Sequence, residues 1–282
     1  MQNIAGPLPF LKMHGLGNDF VVIDGRENGF SPSEQFLRAV ANRRRGIGCD
    51  QIIILRKPDS PQADVYMGIY NPDGGQVGAC GNATRCIARL MFAELGRTKC
   101  VVQTISGLLP AWEESSGLIA VDFGEPRLAW NEIPLAREAD TLHVPVASGG
   151  LFDPCCVSMG NPHAVFFVAD ADAVALGEVG PHLEHDPVFP ERCNIEIANV
   201  IAQDRIRMRV WERGAGITEA CGSGACATLV AAVRRGLTAR RATIVLDGGE
   251  LVVEWRDDNH VVMIGEASFS YSGTLAEGFG AA

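Results

Sequence analysis

Apolar residues return at helical spacing in two stretches of the chain. Ala83, Cys86, Ile87, Leu90 and Met91 recur at i, i+3, i+4 and i+7 after Cys80-Gly81-Asn82, and Ala225, Cys226, Leu229, Val230 and Val233 do the same after Cys221-Gly222-Ser223. The spacing predicts one apolar helix in each place, with Gly96 and Gly236 as the stops. Shorter apolar runs read as strands that begin just after an asparagine-containing turn. Phe20 to Ile23 follows Gly17-Asn18-Asp19, and Ala164 to Val168 follows Gly160-Asn161-Pro162.

The two helical patterns are copies of one another. Ala79-Cys80-Gly81-Asn82 recurs as Ala220-Cys221-Gly222-Ser223, displaced by 221 − 80 = 141 residues, half of the 282-residue chain. The likeness runs on: Ser106-Gly107 through Trp112 to Gly124-Glu125-Pro126 matches Asp247-Gly248 through Trp255 to Gly265-Glu266-Ala267, two strands and a turn in both. The expected fold class is therefore α/β (α+β), with two pseudosymmetric lobes. Residues 1–126 form the first lobe and 127–267 the second, joined near Arg127 to Pro134. Each wraps a β-rich sheet or barrel around one central helix, and a last strand, about 268–282, returns to the first lobe. A duplicated fold whose copies face each other presents the same element twice to a shared cleft.

Composition narrows the classes of function. With 21% charged and 47% hydrophobic residues the chain reads as an ordinary globular protein. Its charge of 24 − 34 = −10 repels phosphate backbones and anionic lipid, which argues against nucleic acid and membrane as partners. No segment reaches the ~18 apolar residues of a membrane span, and Met1 to Leu11 lacks the basic opening and apolar stretch of an export signal, so a cytoplasmic location is expected. Nine cysteines, an odd count without an export signal, fit a reducing compartment and unbridged thiols, most of them small core residues.

Cys80 and Cys221 differ from such core thiols in their setting. Each stands directly before Gly-Asn or Gly-Ser and then a helix, beside backbone N–H groups that have no partner within the helix. Those amides can hold a carboxylate, and their positive potential is expected to lower a thiol pKa below its reference of about 8.5. An amino acid held between two such mouths has one sulfur on each face of its α-carbon. A thiolate on one side removes the α-proton while a thiol on the other side delivers one, which is stereoinversion. Fixed dipoles on the carboxylate stabilise the carbanion without pyridoxal or metal, so no cofactor is expected. A single Cys-Gly pair is ordinarily a cap or a buried residue; two matched openings in one chain favour the catalytic reading.

An ordered series of motifs closely resembles the diaminopimelate epimerase family. It comprises Lys12-Met13-His14-Gly15-Leu16-Gly17-Asn18-Asp19-Phe20, Gly48-Cys49-Asp50-Gln51, Asn71-Pro72-Asp73-Gly74, Cys80-Gly81-Asn82, Gly160-Asn161-Pro162-His163, Cys193-Asn194, and Glu212-Arg213-Gly214 leading to Ala220-Cys221-Gly222-Ser223-Gly224. The resemblance implies interconversion of LL- and meso-diaminopimelate in lysine and cell-wall precursor synthesis by a homodimer of two-lobed chains. It makes Cys80 and Cys221 the proton-transfer residues, with amides of Gly81, Asn82, Gly222 and Ser223 on the reacting carboxylate. It also implies substrate contacts from Asn18, Gln51, Asn71, Asn161, Asn194, Glu212 and Arg213, and tuning of the thiols by His163 and Glu212. Arg213 is suited to fork onto the carboxylate of a second amino-acid head. Ala83 and Ile217 stand where the family often has Gly and Glu, which leaves the contacts around Ile217 and Thr218 less defined.

Other readings carry less. There is no Cys-x2-Cys pair, and His182-x2-His185 alone is a weak zinc signal, so no metal site is expected. Gly214-Ala215-Gly216 lacks the third glycine of a dinucleotide loop. The nearer alternative is a sibling racemase or epimerase acting on histidine or hydroxyproline with the same thiol pair. The more distant is a non-catalytic thiol or ligand-binding protein.

Overall fold

The structure, a computed structural model, describes residues 7–78 and 80–280; Ala79 of the first cysteine motif and the outermost residues expected in the first lobe, 1–6 and 281–282, lie outside the described residues. The chain divides into two compact units, Met1–Val121 with Glu266–Ala282, and Asp122–Gly265.

In the first unit, β1 (Leu8–Gly15) and β2 (Asn18–Asp24) make an antiparallel hairpin turned by Leu16 and Gly17. After α1 (Glu34–Ala41), β3 (Gln51–Arg56) lies parallel to β2, β4 (Val65–Tyr70) antiparallel to β3, and the short β5 (Gln76–Val77) antiparallel to β4. Helix α2 (Gly81–Leu95) then leads to β6 (Lys99–Thr104), parallel to β4, and on through antiparallel β7 (Gly107–Glu113) to β8 (Ile119–Asp122).

The second unit begins with a small hairpin, β9 (Ala147–Ser148) and β10 (Leu151–Phe152), and then repeats the series. Strands β11 (Cys155–Ser158) and β12 (Pro162–Phe167) form the hairpin, α3 (Leu176–Glu184) follows, and β13 (Asn194–Ala202) lies parallel to β12. Next come β14 (Arg205–Glu212), the short β15 (Gly216–Thr218), α4 (Gly222–Arg234), β16 (Arg241–Leu246) parallel to β14, β17 (Gly249–Trp255) and β18 (Val261–Gly265). The last strand, β19 (Ser268–Leu275), pairs antiparallel with β1 inside the first unit. The class is thus mixed α/β, rich in sheet and poor in helix.

The sequence patterns explain the layers. β3 is flanked by a parallel and an antiparallel neighbour, and its Ile52 to Leu55 run is buried throughout, as a strand covered on both faces requires. β6 and β16 share one alternation of exposed and buried positions, each turning a single face inward. Their hairpins turn at Ile105-Ser106 and Asp247-Gly248, so Gly107 and Gly249 are the equivalent residues. That offset, 249 − 107 = 142, is one residue longer than the sequence match of Gly107 to Gly248. Both glycines sit at positive φ, 127° and 142°, which a side chain resists.

Helix α4 is buried over almost its whole length and packs against β11 to β14 and β16 to β18, so it is apolar all round rather than on one stripe. Helix α2 packs against β1, β6 and β7, with Ala83 to Ala88 buried. Gly96 closes α2 in the left-handed conformation, φ 63°, its N–H on the Phe92 carbonyl. Gly236, φ 69°, follows the end of α4.

Helices α1 and α3 were not expected from the apolar pattern. α1 is short and starts at Ser33, whose hydroxyl accepts from the Phe36 N–H. α3 carries Pro181 and Gly180 in its interior, both poor helix residues, and is held by packing: a side chain at Gly180 would run into the Trp211 ring at 2.6 Å. Among the described residues no helix is long and apolar enough to cross a membrane. Ile87 and Leu229 are fully buried in α2 and α4. Ile87→Ala and Leu229→Ala should each lower unfolding stability by about 2–5 kcal/mol in urea titrations; a loss under about 1 kcal/mol would mean that the helix is not the core of its unit.

Candidate active site

The mouth of α2 opens at Cys80, which sits in extended backbone, φ −148°, with its carbonyl taken by both the N–H and the hydroxyl of Thr84. Its thiol donates to Asn18 Oδ1 at 3.8 Å. The orientation of that asparagine amide follows from its other end. Asn18 Nδ2 donates to Asp50 Oδ2 at 3.0 Å, and because a carboxylate only accepts, Oδ1 must point to the helix mouth, where Asn82 Nδ2 also donates to it at 3.2 Å. Asn82 is oriented in turn by Arg85, a fully buried guanidinium that donates to Asn82 Oδ1 and to the Glu266 carbonyl.

Asp50 is held by charge. Arg43 bridges Asp50 and Asp19, and the largely buried Lys12 binds Asp19 at 2.6 Å. Burial alone would raise the Asp19 carboxyl; the hydrogen bonds of Arg43 and Lys12 outweigh it and bring the pKa to about 2. Gln51 donates to Asn71 Oδ1 at 3.1 Å, while its own buried Oε1 meets no hydrogen-bond partner among the described residues. Asn18, Gln51, Asn71, Gly81, Asn82 and Cys80 therefore all belong to the first unit, on the ends of β2, β3 and β4 and the start of α2.

The mouth of α4 is more enclosed. Cys221 Sγ accepts the Gly224 N–H at 3.4 Å and lies 3.6 Å from Ser223 Oγ, which accepts from Asn161 Nδ2 at 3.4 Å. His163, fully buried, sits between Asn161 Oδ1, 3.0 Å from Nε2, and Glu196 Oε1, 2.6 Å from Nδ1. Glu212 accepts from the Thr218 hydroxyl. The Asn194 side chain is committed to backbone, donating to the Pro162 carbonyl and accepting the Arg213 N–H, so it braces the loop that carries Arg213. Arg213 is exposed, and its guanidinium donates to the Glu191 carbonyl rather than pairing with Glu212.

One expectation is corrected here. The helix terminus does not lower the Cys221 thiol: burial pushes it well above the ordinary range, and the charges of Glu212 and Glu196 push the same way. The hydrogen bonds of Ser223 and Gly224 act in the opposite sense and are outweighed, because a few partial charges do not replace the hydration lost by a buried thiolate. Burial also raises the Glu212 carboxyl. Cys80 is less enclosed, only half-buried.

Sequence reasoning did not single out Lys12, Asp19, Arg43 and Asp50 as an orienting network, although three of them lie inside quoted motifs. It missed Glu196 altogether, since a lone carboxylate in an apolar strand has no recognisable spacing. The signal available was the charge itself, placed between Ile195 and Ile197 in a strand otherwise buried at that end.

Two repeats of one α/β series, each with a cysteine at a buried helix mouth, define a duplicated two-unit scaffold. The profile of the family described as diaminopimelate epimerase matches residues 10–129 and 155–270. The chain belongs to the diaminopimelate epimerase family. It is 58% identical over 268 residues to the diaminopimelate epimerase of Rhodospirillum centenum, covering 95% of this chain and 92% of that one. It is 52% identical over 272 residues to that of Acidiphilium cryptum, covering 96% and 98%. Among solved structures, a hydroxyproline epimerase from Agrobacterium vitis with bound trans-4-hydroxy-L-proline shares the fold at a TM-score of 0.67, with 14% identity over 98% of this chain and 93% of that one.

The upward shift of Cys221 has a direct readout. Alkylation of Cys221 by iodoacetamide, followed by peptide mass spectrometry, should be slow at pH 7.5 and accelerate only as pH rises well past 9, since the reactive thiolate is the disfavoured form. Rapid modification at neutral pH in the absence of substrate would contradict the burial argument.

Proposed function

We propose that this chain is a diaminopimelate epimerase in activity, interconverting LL- and meso-2,6-diaminopimelate by proton transfer between two thiols and the α-carbon, without a cofactor. The observation that carries the reading is the pair of matched helix mouths, each with its cysteine in extended backbone directly before the first helical residue. The family match and the identity to curated relatives support the substrate.

The substrate α-carboxylate is held by the amides of Gly81, Asn82, Gly222 and Ser223, where the N-terminal dipoles of α2 and α4 stabilise the negative charge that grows on it. One sulfur, as thiolate, takes the α-proton and becomes a thiol. The other, as thiol, gives its proton to the opposite face of the carbanion and becomes a thiolate, so protons and charge balance and the reverse reaction exchanges the roles. The enclosure of Cys221 suits it to keep its proton in the resting pair. His163 and Glu212 set the potential at Cys221. Asn18, Gln51, Asn71, Asn161 and Arg213 serve the remaining polar groups, with Asn194 acting by bracing the loop that carries Arg213, the cation for the distal carboxylate. In keeping with the family, the reading includes a homodimer, a cytoplasmic setting, and a place in lysine and cell-wall precursor synthesis.

Incubating the purified chain with diaminopimelate in heavy water tests this directly. Deuterium should appear at the α-carbon, and Cys80→Ala and Cys221→Ala should each reduce turnover by at least a thousandfold while leaving the circular dichroism spectrum unchanged, because each removes one side of the relay. Exchange only with histidine or hydroxyproline would assign the chain to a sibling activity. No exchange with any amino acid would leave a binding protein.

A further inference from the structure

One buried pair of positions sets the two units apart beside the helix mouths. By strand register, Phe20 opposite Gln51 in the first unit corresponds to His163 opposite Asn194 in the second, and two residues on, Ile53 corresponds to Glu196. Phe20, Ile53, His163 and Glu196 are all fully buried. An apolar pair in one copy has become a histidine and a carboxyl group in the other, at a desolvation cost that calls for a function.

The hydrogen positions follow from the partners. Asn161 turns its Nδ2 to Ser223 Oγ at 3.4 Å and its amide oxygen to His163 Nε2 at 3.0 Å. An amide oxygen only accepts; Nε2 therefore carries a hydrogen. On the other side of the ring, Nδ1 lies 2.6 Å from Glu196 Oε1, a separation that two bare acceptors do not adopt. A second hydrogen lies between them. Glu196 Oε2 is buried without a hydrogen-bond partner among the described residues, which further disfavours an uncompensated carboxylate there. Glu196 is also fixed in place: a side chain at Gly224 would come within 2.8 Å of Oε1, so the carboxyl packs against the first turn of α4.

The consequence is a reversal between the copies. Asn18, anchored by Asp50, turns its carbonyl to the helix mouth. Asn161, anchored by His163, turns its NH2 group to the helix mouth. We propose that Glu196 is a positioning residue of the second half-site: it keeps His163 with Nε2–H directed at Asn161, and so makes Asn161 a donor at the mouth of α4 where Asn18 is an acceptor at the mouth of α2. The mouth of α4 thus offers a hydrogen suited to a carboxylate, and the mouth of α2 a lone pair suited to an ammonium group. This rests on the epimerase reading for its purpose, and on the hydrogen-bond geometry alone for its content.

The test uses the full chain labelled with ¹⁵N-histidine, the His163 signals being assigned by their loss in His163→Asn, together with Glu196→Gln and Glu196→Leu. In the native chain Nε2 should show a directly bonded hydrogen. In Glu196→Gln, where an amide NH2 donates to Nδ1, Nε2–H should persist while Nδ1 moves to the position of a bare imidazole nitrogen. In Glu196→Leu, with nothing to hold Nδ1, the fixed Nε2–H signal should be lost. α-Deuterium incorporation should fall on the order of a hundredfold in Glu196→Leu, as misplacement of a positioning group does, with Glu196→Gln recovering most of the loss. Melting temperatures of the two variants identify any general loss of structure, which would lower both alike. A bare Nε2 in the native chain, native exchange in Glu196→Leu, or no recovery in Glu196→Gln would overturn the assignment. If the native chain itself exchanges no α-hydrogen, the epimerase reading falls, and the histidine signals still decide the role of Glu196.

Discussion

A buried helix must find partners for the N–H groups of its first turn, and this obligation shapes everything around the two cysteines. α2 and α4 each begin inside their unit rather than at its surface. Water does not reach those amides freely, so they are left to side chains and to ligand. Cys221 takes one of them through its own sulfur; Asn18 and Ser223 stand at the others' approaches. Both helices are capped by small residues and carry no carboxylate of their own in the first turn.

The same enclosure explains why the two halves are not chemically equal. Around Cys80 the polar shell leads outward through Asn18 and Asp50 to Arg43, a charged network that reaches solvent. Around Cys221 it leads inward to His163 and Glu196, with Glu212 close by. The two units repeat one scaffold, and near the cysteines they differ in buried polar positions such as His163 and Glu196. Symmetric backbones with unequal electrostatics suit a reaction in which one sulfur must be charged while the other is not.

Much of this was legible in the sequence, for reasons that differ by element. α2 and α4 announce themselves because an apolar helix needs a 3.6-residue repeat and a glycine stop, both present in the open text around Ile87 and Leu229. The repeat of Cys-Gly marks the two helix mouths because it occurs twice. α3 was hidden because Pro181 and Gly180 contradict helix propensity and only the Trp211 ring justifies them. The direction of the Cys221 shift was also out of reach: local charge can be read from neighbours in sequence, whereas desolvation depends on how many strands close over the sulfur. Glu196 lay beyond reading for the same reason, its meaning residing in a partner 196 − 163 = 33 residues away across a parallel strand pair.

The pairing of β19 with β1 has a consequence for biosynthesis. Those strands are brought together only after the intervening second unit, 265 − 122 + 1 = 144 residues, has left the ribosome. Until then β1 exposes an unpaired edge, and Phe10 and Leu8 wait without the strand that covers them. The second unit is continuous in sequence and can close before β19 is made, whereas the first cannot.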